Sequence, residues 1–223
     1  MRKIINFILL IVIFIGIYFA LAQIPLGKNK MNVSKHYINE GLKENGATNI
    51  VTSIVLNYRG FDTLGEITIL FIGAIGLGII LFDFETKRKD IKPASLILKT
   101  GCRFLFPFIL LLGIYIFIHG HLTPGGGFQG GAIIASGFLL NYLGCSKKRI
   151  KEKGINIIES LGGAIFIAIG LLGLFLGDYF LLNFLPKGTL NTLISGGIIP
   201  LLYITIGLKV GAELSGIIYK LME

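Results

Sequence analysis

The sequence predicts an all-α membrane protein with about six transmembrane helices and both termini in the cytoplasm. Three observations lead there. Of 223 residues, 53% are hydrophobic and only 15% charged, against about 25% charged in a soluble domain. The apolar residues come in long runs without alternation, unlike the roughly ten-residue alternating strands of a membrane barrel. The charges cluster between those runs. This composition excludes a soluble globular enzyme. It also excludes a disordered chain, which would be poor in apolar residues and rich in charge.

Six stretches approach the roughly 20 apolar residues that a helical crossing needs: 4–22, 64–82, 104–118, 128–144, 157–177 and 190–208. The first follows Arg2-Lys3 and ends in Ala20-Leu21-Ala22, a pattern resembling a secretory signal with its cleavage site; it is read as an uncleaved helix. The third and fourth are short. In the last, Gly196, Gly197 and Pro200 predict a kink, and Lys209 and Glu213 read as an exposed pair on a cytoplasmic extension.

Arg2 and Lys3, the group Lys87, Arg88, Lys89, Lys92, Lys99 and Arg103, the group Lys147, Lys148, Arg149, Lys151 and Lys153, and Lys209 and Lys220 share one side. Lys28, Lys30, Lys35, Lys43, Arg59 and Lys187 take the other, so the excess of basic residues makes both termini cytoplasmic. The net charge of +9 therefore reflects topology and not nucleic-acid binding, since no basic helix carries interleaved aromatics. Two blocks follow: residues 1–90, a two-helix unit with a long outer loop, and 91–223, a four-helix unit with tight outer turns. The charged segment 83–99, with Pro93, is the seam. No internal repeat argues for an autonomous transporter built from inverted halves. Cys102 and Cys145 form no CxxC motif and suggest neither a disulfide framework nor a zinc site.

Ionisable residues inside a bilayer are functional candidates by default. The purely apolar part of the second span is too short for a crossing, and extending it outward takes in Glu66. Asp62 lies four residues earlier on the same helical face and Arg59 three before that. One reading is a carboxylate that holds and passes on Na⁺ or a proton; the other is an interfacial Arg59–Asp62 pair with Glu66 reaching outward. Glu159 sits about one turn inside the fifth span, near a stripe of Gly163, Gly170 and Gly177 that suits helix packing. It either faces protein or reaches out toward Lys151 and Lys153.

The most unusual segment is His119-Gly-His-Leu-Thr-Pro-Gly-Gly-Gly-Phe-Gln-Gly-Gly131. It joins two short spans, so part of it is expected at membrane depth, where irregular backbone must be buried or line a wet cavity. Pro124 suits a first helical position. Pro124, Gly125, Gly126, Gly127, Gln129, Gly130 and Gly131 are read as turn and helix-packing residues, with Gly126/Gly130 and Gly127/Gly131 as small-xxx-small pairs. His119 and His121 titrate near neutral pH and suit a proton relay; the alternative places them at the outer interface. Metal binding is not expected, because no third ligand lies close in sequence.

That glycine-rich run closely resembles the signature of the B-type small subunit of Mrp-type multisubunit Na⁺/H⁺ antiporters, and the likeness extends over about 91–223. Residues 51–81, with Tyr58-Arg-Gly-Phe-Asp-Thr-Leu-Gly-Glu66, resemble the last segment of the large A-type subunit of the same antiporters. In membrane-bound hydrogenases and related ion-pumping complexes this segment is a separate small subunit. The chain thus looks like a fusion of two neighbouring small subunits.

The resemblance implies a component of a Mrp-like cation-translocating module in the plasma membrane of a prokaryote. It implies no catalytic site and no cofactor in this chain, with Na⁺ or H⁺ as the transported ion. Expected partners are other small Mrp-like subunits, proton-pumping subunits related to those of respiratory complex I, and hydrogenase-like or sulfur-reducing redox subunits. Of the named features, Asp62/Glu66 and the 119–131 segment carry over from the family, whereas Glu159 rests on depth alone. Two roles stay open: lining or shaping the ion path, or a scaffold through which no ion passes.

Overall fold

Each apolar stretch contributes a helix to the computed structural model, which describes residues 2–22, 32–82, 94–144 and 152–222. The described residues contain helices and loops without strands. Pro93, Cys145 and the basic clusters at 87–92 and 147–151 lie outside them. Two compact units emerge, Met1–His36 and Tyr37–Glu223. In the first, α1 (Arg2–Ala22) is strongly apolar, and its side chains from Phe7 to Phe19 are exposed. A helix without a polar face belongs in a core or a membrane. The polar helix α2 (Asn32–Asn45) begins in this unit and ends in the second; the sequence suggested only a loop there.

The second unit continues with α3 (Ile50–Ser53), whose N-cap Asn49 accepts a hydrogen bond from the Val51 amide, and a π-helical turn, Ile54–Tyr58. Then follow α4 (Gly60–Phe82), α5 (Leu96–Ile118), α6 (Gly127–Gly144), α7 (Glu152–Leu176) and α8 (Ile199–Met222). Among the described residues, four helices are long and apolar enough to cross a membrane: α4, α5, α7 and α8. The α8 helix is the hub, with α4, α5, α6 and α7 all packed on it. In its apolar window 56% of residues are buried, against 6% in α4.

Glycine makes that packing possible, because small residues let helix backbones approach closely. A Cβ at Gly127 would lie 2.6 Å from Ile206, and one at Gly131 would lie 2.9 Å from the Gly211 nitrogen. These two residues form the expected stripe, and it docks on α8. Gly130 faces the other way, its absent Cβ 2.6 Å from the Gly113 carbonyl of α5. On α7, Gly163 lies against Lys209 and Gly170 receives Phe180, while Gly177, just past the helix, receives Leu182 of the returning loop.

Three boundaries differ from the sequence reading. The α5 helix is not short: Ser95 accepts a hydrogen bond from the Leu98 amide and starts the helix at Leu96, so Lys99 and Arg103 fall in its first turns. Pro124 is not a first helical residue, since α6 starts at Gly127 after Gly126 with φ 150°.

The third difference matters most. Residues 190–198 are not helical, and α8 starts at Ile199. Gly196 and Gly197 have φ of 85° and 61°, a left-handed backbone that glycine adopts readily and a helix cannot continue through. Asn183 fixes the start from a distance: its Oδ1 accepts from the Ile198 amide at 3.0 Å, and its Nδ2 donates to the Gly196 carbonyl at 3.2 Å. Pro200 therefore sits in the first turn, where its missing N–H costs nothing. No kink is needed.

Candidate functional site: a buried ion pair and a glycine-rich turn

The turn between α5 and α6 is held by hydrogen bonds from the segment before α4. Asn49 Nδ2 donates to the Gly120 and Thr123 carbonyls at 2.9 and 3.0 Å, and the Asn49 amide donates to the His121 carbonyl at 3.0 Å. Thr52 Oγ1 donates to the Gly120 carbonyl at 2.7 Å. Its contact with the Tyr203 hydroxyl, also 2.7 Å, then has Tyr203 as donor. The otherwise orphaned carbonyls of a buried loop are satisfied in this way.

The two histidines diverge. His119 ends α5, stacks on Tyr115 with ring centroids 4.1 Å apart, and donates from Nδ1 to the Tyr115 carbonyl at 3.1 Å. His121 is fully buried, and its Nε2 lies 3.3 Å from the Thr192 carbonyl. A carbonyl only accepts, so Nε2 carries the proton. Burial holds this imidazole below its ordinary 6.5.

Asp62 and Glu66 lie on the open side of α4. Thr63 and Ile67, one residue away from each, are the buried positions. Asp62 pairs with Arg59 at 2.5 Å, both side chains more than half exposed, and Glu66 is exposed. Glu66 is six residues past Gly60, about 9 Å along the helix.

The charges that the chain does bury are elsewhere. Lys209 Nζ and Glu213 Oε2 are 2.6 Å apart, with side chains 7% and 0% exposed. Starting α8 at Ile199 puts Lys209 ten residues in, about 15 Å along the axis and near mid-span. The sequence reading of an exposed pair on a cytoplasmic extension is therefore corrected: the helix begins later than its apolar run, and the pair moves inward with it. Gly162 and Gly163 of α7 form the trough in which Lys209 lies; a Cβ at Gly162 would sit 3.0 Å from both Lys209 Cβ and the Thr205 carbonyl. The ammonium also stands 5.4 Å from the Phe71 ring centre of α4.

Glu213 Oε1 makes no hydrogen bond among the described residues. Beside it is a cavity of about 60 Å³ lined by Glu159, Glu213, Asn156, Gly216, Tyr219 and Lys220, among others. Glu159 is half-buried, so it is brought toward the pair while Asp62, Glu66, His119 and His121 are not. The sequence signal for this site was present in Thr205, Lys209 and Glu213, spaced four apart on one face.

Helices of this length and apolarity, with a charged pair buried between them, define a multi-pass membrane protein. Its relatives narrow this. Residues 97–216 match the domain related to the MnhB subunit of Na⁺/H⁺ antiporters, and residues 1–95 match the MbhE family, the E-type subunit of MBH. The chain belongs to the MnhB-related family. A chain in the solved membrane-bound sulfane sulfur reductase, an archaeal respiratory membrane complex, is 44% identical with a TM-score of 0.80, covering 99% of this chain and 98% of that one. An uncharacterised protein of Methanocaldococcus jannaschii is 34% identical, across 86% of this chain and 80% of its own length. The B-type subunit of a Na⁺/H⁺ antiporter from Alkalihalophilus pseudofirmus is 36% identical, across 43% of this chain and 69% of that protein.

Proposed function

We propose that this chain is an ion-path subunit of a Mrp-like module that moves Na⁺ or H⁺, and that its contribution to the path is the Lys209–Glu213 pair with Glu159. One observation carries this reading: two oppositely charged groups are held 2.6 Å apart and almost fully buried near mid-span. Burying an ion pair is weakly stabilising at best and often less favourable than an apolar pair of the same size. A fold that needed only packing would have little reason to keep it.

The parent complex is a redox-driven respiratory complex in a prokaryotic plasma membrane. The 44% identity over nearly the whole of both chains supports that choice over a simple antiporter. This chain supplies no catalytic site or cofactor of its own. Its neighbours are other small Mrp-like subunits, proton-pumping subunits related to those of respiratory complex I, and sulfur-reducing or hydrogenase-like redox subunits. The end of the bundle that carries Lys220 faces the cytoplasm, as the basic residues suggest.

The scaffold reading has support on α4. Glu66 and the Arg59–Asp62 pair are exposed, and an ionised side chain facing hydrocarbon is costly. That face therefore meets a neighbouring subunit, and any ion passing Glu66 is shared with it. Ion transport by the assembled complex in vesicles separates the two roles. With assembly intact, Glu213→Gln abolishes transport if the pair lies on the path. Full transport in that variant would leave this chain a scaffold.

A further inference from the structure

The cavity beside Glu213 has a direction. Its lining spans from Lys220 and Asn156, both exposed near one end of the bundle, through Glu159 and Gly216 to the buried Glu213. Lys220 is two residues from the end of α8 and Asn156 four from the start of α7. Its volume of about 60 Å³ exceeds the roughly 10–15 Å³ that one water requires. A water also needs two to four polar partners. The lining offers carboxylates of Glu159 and Glu213, the Asn156 amide, the Tyr219 hydroxyl and the Lys220 ammonium.

The orphaned Glu213 Oε1 is the independent mark of an occupant. Buried polar atoms in native proteins are nearly always hydrogen-bonded, to protein or to ordered water, and Oε2 alone is used by Lys209.

Toward the glycine-rich turn the same helix is sealed. Ile198, Ile199, Leu202 and Ile206 are at most 1% exposed, as is Phe166 of α7. Among them Tyr203 donates to Thr52, which in turn donates to the Gly120 carbonyl. About three turns of α8, with these apolar side chains packed around them, thus separate Lys209 from that end.

We infer that this recess is a hydrated half-channel that gives protons access to Glu213 from the Lys220 end alone. A proton passes from a hydronium ion in the recess to Glu213 Oε1, forming the carboxyl O–H and leaving water behind. The groups facing the recess are Glu159 and Asn156 from α7 and Glu213, Tyr219 and Lys220 from α8; α4 contributes only Ala74 and Ile75. This inference rests on the ion-path reading for its use, but not for its test, because access is measured without transport.

The test places a thiol in the recess. A Cβ at Gly216 has only Ile155 Cγ2 nearby, at 3.5 Å, so Gly216→Cys fits without displacing a helix. In the assembled complex in oriented vesicles, a membrane-impermeant charged thiosulfonate is added to one side at a time. Modification is read by mass spectrometry of the peptide containing residue 216. The expected result is labelling from the Lys220 side and its loss when the reagent is added to the other. Labelling from the glycine-rich side, or from neither, overturns the half-channel. Asn156→Cys, at the mouth, is the second variant: its labelling with Gly216→Cys silent also overturns the proposal, since the inner recess would then be closed. Transport in Glu213→Gln is scored separately, so a silent carboxylate and a closed recess give different patterns.

Discussion

Removing one member of the Lys209–Glu213 pair should destabilise this subunit far more than removing both. The pair is 2.6 Å long with side chains 7% and 0% exposed, so either single change strands a buried charge. Glu213→Gln leaves the ammonium without its counter-ion, and Lys209→Met leaves the carboxylate. Each costs about 3–5 kcal/mol by the behaviour of buried pairs broken on one side. Lys209→Met also forfeits the contact with Phe71, 5.4 Å away, worth about 0.5–2 kcal/mol. Replacing both charges leaves none uncompensated, so the double variant is expected to stay close to the parent; buried pairs replaced by apolar residues of similar volume are neutral or more stable by about 1–4 kcal/mol.

The assay is a double-mutant cycle on thermal stability, following retention of this subunit in the heated, detergent-solubilised complex. For a chain of this size 1 kcal/mol corresponds to about 2–4 °C. The single variants should then lose roughly 6–20 °C, by the same conversion, while the double stays close to the parent. If the losses of the singles simply add in the double, the side chains do not depend on one another, and the reasoning from burial is wrong.

Other expectations concern packing and the turn. Gly162→Ala puts a Cβ 3.0 Å from Lys209 Cβ and the Thr205 carbonyl, and overpacking of this kind costs about 1–3 kcal/mol; the same thermal assay reads it, and a neutral result would remove the trough. Gly131→Ala, 2.9 Å from the Gly211 nitrogen, should force α6 from α8 and lower subunit yield in the purified complex. Asn49→Ala removes the two bonds to the Gly120 and Thr123 carbonyls and a helix cap, about 1–2 kcal/mol in all, seen as faster amide exchange in residues 119–126. His121 is held below its ordinary 6.5, so the unfolded chain binds the extra proton first. Stability from this site is complete above about 6.5 and declines as pH falls toward the folded value. His121→Gln should flatten that decline in the exchange protection of the turn.

Much of the architecture was legible in the sequence because a bilayer leaves few choices. Long apolar runs must be helical, and the glycines of 127–131 had to mark a close crossing. The start of α8 was not legible. It depends on Asn183 capping Ile198 from fifteen residues upstream and on the left-handed backbone of Gly196 and Gly197, and hydropathy registers neither. The run at 190–208 is apolar whether or not it is helical, so its length misplaced Lys209 and Glu213 at a solvated end. Glu66 shows the opposite limit: its depth could be read from span length, but the side of α4 that faces outward is set by which residues α8 accepts. Ile67 takes such a place in the core, and Thr63 turns inward to donate to the Val55 carbonyl.

The central claim is that the buried charges move ions and do not merely hold helices together. The Lys209→Met/Glu213→Gln double variant tests it most directly, because removing both charges together is expected to spare stability. Ion translocation by the assembled complex carrying that variant is the quantity to measure. The account predicts a complex that assembles and resists heat as the parent does, yet no longer translocates ions. A stable double variant that transports at the parent rate would contradict it.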